Sequence, residues 1–155
     1  MSNPVVSQCI RALSDPNLRM RIQATGDLAA IGRPALLDLI ASLNDANPEV
    51  RWRAIVALAW IGDTRAVEPL LNTLGDSVWE VRQSAAWALG QIGDTRAAEG
   101  LLAAVHDQDE QVRVLAALAL ARIGDAERLQ AALTGANEQA RRVAGAVWHL
   151  LEADG

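Results

Sequence analysis

The chain contains no phenylalanine, no tyrosine and no lysine, and its only cysteine is Cys9. A strand-rich protein draws heavily on Val, Ile, Thr, Tyr and Phe. The dominance of Ala and Leu here favours helices before any pattern is considered. A lone cysteine excludes an intramolecular disulfide and a cysteine-built zinc cage. No uncharged run approaches the ~18 residues that cross a bilayer. The opening Met1-Ser2-Asn3-Pro4 has no charged segment ahead of an apolar stretch, so no secretory leader is expected. A cytoplasmic location and no contact with a membrane are therefore expected. Every basic side chain other than the two histidines is arginine, which a GC-rich coding source explains. The formal net charge of -5 is the wrong sign for duplex DNA as the main partner, since phosphate binding needs a basic face.

Catalytic constellations are missing as well. His106 and His149 are the only side chains whose ordinary pKa suits a base at neutral pH. Neither has an acidic residue at a metal-binding spacing such as His-Glu-x-x-His. There is no phosphate-cradling glycine loop and no nucleophile elbow. His106 reads as a solvated turn residue, and Cys9 as a buried, inert thiol beside Val5, Val6, Ile10 and Leu13. No catalytic residue, metal or cofactor is assigned.

What the chain does contain is 51% hydrophobic residues and a repeat. Val50-Arg51, Val81-Arg82 and Val112-Arg113 recur at a step of 31 residues. Each opens a segment that closes on Ile-Gly-Asp, at 61–63, 92–94 and 123–125. A fainter copy runs over 20–32, and another begins at Ala140-Arg141. Shorter apolar segments at 4–13, 34–43, 66–74, 97–105 and 127–133 lie between them. Internal repetition of this length means stacked units that bury a common core. The expectation is one all-α domain over 1–155, a right-handed superhelix of about five pairs. Each pair joins a short helix A to a longer helix B, in repeats near 4–32, 33–62, 63–93, 94–124 and 125–153.

Local chemistry sets the boundaries. Gly62, Gly93 and Gly124 stand where a left-handed residue ends each B helix. Asp63, Asp94 and Asp125 follow as N-caps of the next A helix. Asn47-Pro48 pairs an N-cap with proline at the first helical position, and Ser77 with Glu80 has capping-box spacing. At ~100° per residue, Val50, Ala54, Ala57, Leu58 and Ile61 share the core face of one B helix. Trp148, in register with Leu89, reads as a core plug near the C-terminus, whereas Trp79 stands off this pattern beside a helix start. An aspartate also precedes each repeat arginine by six residues: Asp15 and Arg21, Asp45 and Arg51, Asp76 and Arg82, Asp107 and Arg113. This regularity reads as a structural ladder tying the A–B turns together. Gly135 replaces the acid in the last repeat.

The repeat resembles HEAT repeats, and specifically the short phycobilisome-lyase HEAT-like kind. The carriers are EVRQSAAWALGQIGD at 80–94, RAVEPLL at 65–71 and Glu49-Val50-Arg51. The same stretches resemble engineered consensus arrays. The resemblance implies that B helices line a concave face. It also implies that some relatives attach or remove bilins, that some HEAT-like glycosylases bind DNA, and that HEAT-like di-iron hydroxylases carry His-Glu pairs, which this chain lacks.

The residues opposite the core on the B helices define the candidate site. They are Ile22, Gln23, Gly26 and Ala30; Trp52, Arg53, Val56 and Trp60; Gln83, Ser84, Trp87 and Gln91; Val114, Leu115, Leu118 and Arg122; and Arg142, Val143, Ala146 and Leu150. Stacked in register, they form an apolar trough with three indoles and a border of Arg53, Arg122 and Arg142. Exposed apolar patches mark binding surfaces, and Trp and Arg dominate interface energetics. A partner protein or peptide is the expected occupant. The alternative is a bilin, which the resemblance alone suggests. Nucleic acid is disfavoured by the acidic background.

Overall fold

The computed structural model describes residues 3–124, 126–134 and 138–153. Among them the chain is all-α, with no strand. Short helices alternate with long ones: α1 (Pro4–Ala12), α2 (Leu18–Ile31), α3 (Leu36–Ser42), α4 (Pro48–Ile61), α5 (Val67–Thr73), α6 (Trp79–Ile92), α7 (Ala98–Ala104), α8 (Glu110–Arg122), α9 (Ala126–Thr134) and α10 (Glu138–Ala153). One 3₁₀ turn precedes each of α3, α5 and α7. The long helices pack side by side in the order α2, α4, α6, α8, α10, which makes the molecule a solenoid.

The stop and start signals act as local chemistry dictates. Gly62 and Gly93 end α4 and α6 with φ of 69° and 75°, in the left-handed region that only glycine enters cheaply. The Asp63 and Asp94 carboxylates accept from the backbone N–H of Arg65 and Arg96, so each caps a 3₁₀ turn that leads into the next short helix. Asn47 caps α4 by accepting from Glu49 N, with Pro48 at the first position. Asp125 and Gly135 lie outside the described residues. The capping box expected at Ser77 and Glu80 does not form. Val78 holds the cap position of α6 without a side-chain bond, and Asp76 Oδ1 accepts from Val78 N instead. The helix therefore starts one residue later than the box requires. In α2, α4 and α8, Asn17, Asn47 and Asp109 fill the slot that Val78 occupies.

One continuous core runs along the stack, with Leu28, Ile55, Leu58, Leu89 and Leu120 from the long helices and Leu39, Leu70, Leu101 and Leu129 from the short ones. Of the anticipated core face, Val50, Ala54, Ala57 and Leu58 are buried and Ile61 is half-buried. Small residues set the helix spacing: a Cβ on Gly90 would lie 2.9 Å from both the Cα and the Cβ of Ala119. Glycine at that point lets α6 and α8 touch backbone to backbone. Two expectations at the N-terminus are corrected. Cys9 is half-buried and packed against the core, not sealed in it, while Val5 faces solvent. Burial, and then the charge of Asp27, push the Cys9 thiol above its ordinary pKa. Trp148 is likewise half-buried against the core, and Trp79 is exposed.

The arginine ladder runs between repeats. The Arg51 Nε and Nη2 donate to the two carboxylate oxygens of Asp76 at 2.8 and 2.9 Å. Arg82 does the same to Asp107, at the same two distances. The Nη1 of each reaches back to the main-chain oxygens of its own turn, Asp45 and Ala46 for Arg51, Asp76 and Ser77 for Arg82. Thus the aspartate six residues upstream contributes its carbonyl, and the aspartate 25 residues downstream contributes its carboxylate. The same carboxylates accept from Val78 N and Asp109 N, so each acid also closes its own turn. Burial works against ionisation of Asp76 and Asp107. The arginine and backbone donors outweigh it and hold both carboxyls below the usual range.

Candidate functional site

The first rung differs from its neighbours. Arg21 donates through Nε to Glu49 Oε1 at 3.0 Å, and through Nη1 to the Asp15 carbonyl. The Asp45 carboxylate accepts from Asn47 N and closes its own turn. Glu49 becomes a hub, because Arg53 Nε and Trp52 Nε1 also donate to it, at 2.7 and 3.2 Å. The Arg53 guanidinium lies over the Trp52 ring, 4.3 Å from its centroid, in a cation–π arrangement. Partial burial opposes ionisation of Glu49, but the hydrogen bonds from Arg53 and Trp52 lower its pKa.

This cluster corrects the expected trough at one end. Arg53 is only 4% exposed, so it is part of the packing and no border cation. Its tie to Glu49, one helical turn earlier, turns it inward. Trp52 is half-buried, with its indole N–H already committed. Trp60, by contrast, is 58% exposed. Trp87 is half-buried and rests on the core, as does Leu115. Val56, Gln83, Ser84, Val114 and Val143 are half-buried, while Ile22, Gln91, Leu118, Arg122, Arg142, Ala146 and Leu150 are exposed.

On the face of the long helices, two cavities lie in the C-terminal half. A cavity of about 450 Å³ opens between α8 and α10, lined by Val114, Leu118, Arg142, Val143, Ala146 and Leu150, together with Glu110, Arg113, Gln139 and Val147. A second, of about 410 Å³, is lined by Trp87, Gln91, Leu115, Leu118, Arg122 and Leu150, with Gly90, Ala119, Ala121 and Val147. The two share Leu118, Val147 and Leu150 and so form one trough. Trp52, Arg53, Val56 and Trp60 line neither cavity. Period-3.6 reasoning placed Leu118, Arg142 and Leu150 side by side. It missed Gln139, one turn before Val143 on the same stripe, Glu110, one turn before Val114 at the stripe's edge, and Val147 beside the stripe, all of which line the gap between α8 and α10.

His106 and His149 are exposed and line neither cavity. Among the described residues no three His, Cys, Asp or Glu side chains gather as a metal site, and no helix is long and apolar enough to cross a membrane. The trough offers an apolar floor, an indole, and cations at its ends.

The chain is similar in structure to several solved helical-repeat proteins. The complex of CpcE and CpcF of phycocyanin lyase from Nostoc sp. PCC7120 superposes with a TM-score of 0.78 at 23% identity, over 93% of this chain and 98% of that one. Human deoxyhypusine hydroxylase in complex with glycerol gives 0.66 at 23% identity, over 90% of this chain and 60% of that one. Computationally designed armadillo repeat proteins for modular peptide recognition give 0.54 at 22% identity, over 92% and 80%. At such identities the likeness concerns the fold. No curated protein matches the sequence. The sequence profile of HEAT repeats matches residues 34–113 and 68–152, the greater part of the chain, and the protein therefore belongs to the HEAT-repeat family.

Proposed function

We propose that the protein is a non-catalytic scaffold, a single array of five helix pairs that binds a partner protein or peptide along the exposed face of its long helices. The observation that carries this reading is the continuous apolar trough over Trp87, Leu118, Val143, Ala146 and Leu150, with Arg122 and Arg142 at its margins. Leu150 is 62% exposed and Leu118 39%, so apolar surface lies open to water across adjacent helices. A rigid stack needs little reorganisation to use such a surface. The designed armadillo repeats, whose purpose is peptide recognition, support the same use of this architecture. Trp60 extends the surface toward the N-terminal half.

The test compares capture from a native lysate by the wild type, by a Leu118→Glu/Leu150→Glu variant, and by Leu37→Glu as a control on a short helix. A partner of the trough is lost from the first variant and retained by the control. Undiminished capture by the trough variant removes this reading. A second reading, a bilin-binding subunit, draws on the phycocyanin lyase likeness. Biliverdin titration gives it an independent test: a shifted visible band with quenched indole fluorescence supports it, and unchanged spectra at high micromolar bilin remove it.

A further inference from the structure

The ladder has one incomplete rung. Arg113 occupies the register of Arg51 and Arg82 and is held in the same way, its Nη1 donating to the Asp107 and Gln108 carbonyls at 2.9 and 3.0 Å. Its side chain is as deeply placed as that of Arg82, with the residue 6% exposed. Yet its Nε is buried with no hydrogen-bond partner among the described residues. On Arg51 and Arg82 the same nitrogen holds an aspartate carboxylate. The last repeat is three residues shorter: the position six residues before Arg141 is Gly135, outside the described residues, and the acid 25 residues on from Arg113 is the exposed Glu138, which does not bond to the Arg113 Nε.

A buried guanidinium N–H without an acceptor is costly, and native proteins rarely keep one without a use. Arg113 also lines the cavity between α8 and α10. Two arginines, Arg113 and Arg142, face one acid, Glu110, in that lining, so this spot is locally cationic on a chain whose net charge is -5. Beyond the arginines the lining is Val114, Leu118, Val143, Ala146 and Leu150.

We propose that Arg113 is the receptor for an acidic side chain of the partner: an Asp or Glu that completes the missing rung while adjacent apolar residues of the same segment fill the trough over Leu118 and Leu150. The proposal rests on the peptide-binding reading above and adds the chemistry of the partner. The guanidinium is already oriented by the two carbonyls, so the carboxylate meets a preformed donor.

The experiment selects a phage-displayed library of twelve-residue random peptides on the immobilised full-length protein. Selected peptides are then titrated into wild type labelled with ¹⁵N and with ¹³C in the leucine methyl groups, following the arginine Nε–Hε and leucine methyl resonances. The expected result is a consensus with Asp or Glu next to Leu, Ile or Trp, and a shift of the Arg113 Nε–Hε signal while those of Arg51 and Arg82 stay in place. Replacing the acid of the peptide by its amide should weaken binding about tenfold or more, the usual worth of a charge-assisted bond. Peptides that bind the trough, shifting Leu118 and Leu150 methyl signals, without an acid or without moving Arg113 overturn the rung assignment and leave the docking surface standing. Failure of any peptide to shift the Leu118 and Leu150 signals counts against both. The titrations use wild-type protein, so the outcome does not depend on whether an Arg113 variant folds.

Discussion

Replacing Asp107 by Asn isolates what one rung of the ladder contributes. The substitution keeps the shape of the side chain but removes the charge, and its amide then presents a donor to one of the two arginine N–H groups. Arg82 and Asp107 are 6% and 11% exposed at the side chain, joined by bonds of 2.8 and 2.9 Å. Removing one partner of a buried ion pair typically costs 3–5 kcal/mol, because the other charge is left uncompensated. Partial access of water to Asp107 puts the expected loss near the lower bound, about 3 kcal/mol. Converting Arg82 to Met in the same chain takes away the stranded cation. It also leaves the Asp76 and Ser77 carbonyls short of a donor, which costs about 1–3 kcal/mol. The two changes should therefore be non-additive, with a coupling of about 2 kcal/mol. Urea melts followed by helical ellipticity measure all four chains, and a constant m-value verifies that the repeats still unfold together. A coupling below about 0.5 kcal/mol, the usual scatter for independent sites, refutes the argument. The pH dependence provides a second check. The folded-state pKa of Asp107 is depressed, so its contribution is complete above the unfolded carboxyl value of ~3.9 and is lost as pH falls below that toward the lower folded value. The gap between wild type and Asp107→Asn should hold from pH 7 down to about 4 and close below it.

Five further outcomes follow from the same geometry. Gly90→Ala gains about 1 kcal/mol of helix propensity, but its Cβ meets the Ala119 backbone at 2.9 Å. Overpacking of about 1–3 kcal/mol should win, giving a lower melting temperature. Ser77→Ala should leave stability within about 0.5 kcal/mol, because Ser77 does not cap α6. Asn47→Ala, which removes a working cap, should cost about 1 kcal/mol in the same melts. Trp60→Ala should stay within about 0.5 kcal/mol of wild type in urea, since the indole is exposed, and a larger loss would mean that it packs. Cys9, half-buried and with its thiol pKa raised, should react with a thiol-directed disulfide reagent at pH 8 much more slowly in the folded chain than in urea.

The backbone architecture was legible because it depends on signals a few residues apart. Gly62 and Gly93 stop helices, Asn47-Pro48 starts one, and the 31-residue step repeats these marks often enough to define stacked pairs. The ladder between repeats was visible as a spacing, but the spacing did not name the carboxylate that each arginine takes. Asp76 is six residues from Arg82, but its carboxylate belongs to Arg51, and a period along the chain does not say which neighbour a side chain faces. The capping box at Ser77 fails because of the turn register: as at Asp45 and Asp107, the aspartate accepts from the N–H two residues on, and that residue, here Val78, holds the cap position.

What lies opposite the core was determined by the sequence: helical periodicity puts Leu118, Arg142 and Leu150 on that face in any packing of these helices. Only the tertiary structure decided which of those residues are open. Glu49 gathers Arg21, Trp52 and Arg53 from two helices and turns Arg53 inward at the N-terminal end. The gap between α8 and α10 opens the other end and extends the lining by one turn, to Glu110 and Gln139. Exposure is a property of the distance between helices, and that distance is set by contacts such as Gly90 on Ala119 that no single helix carries.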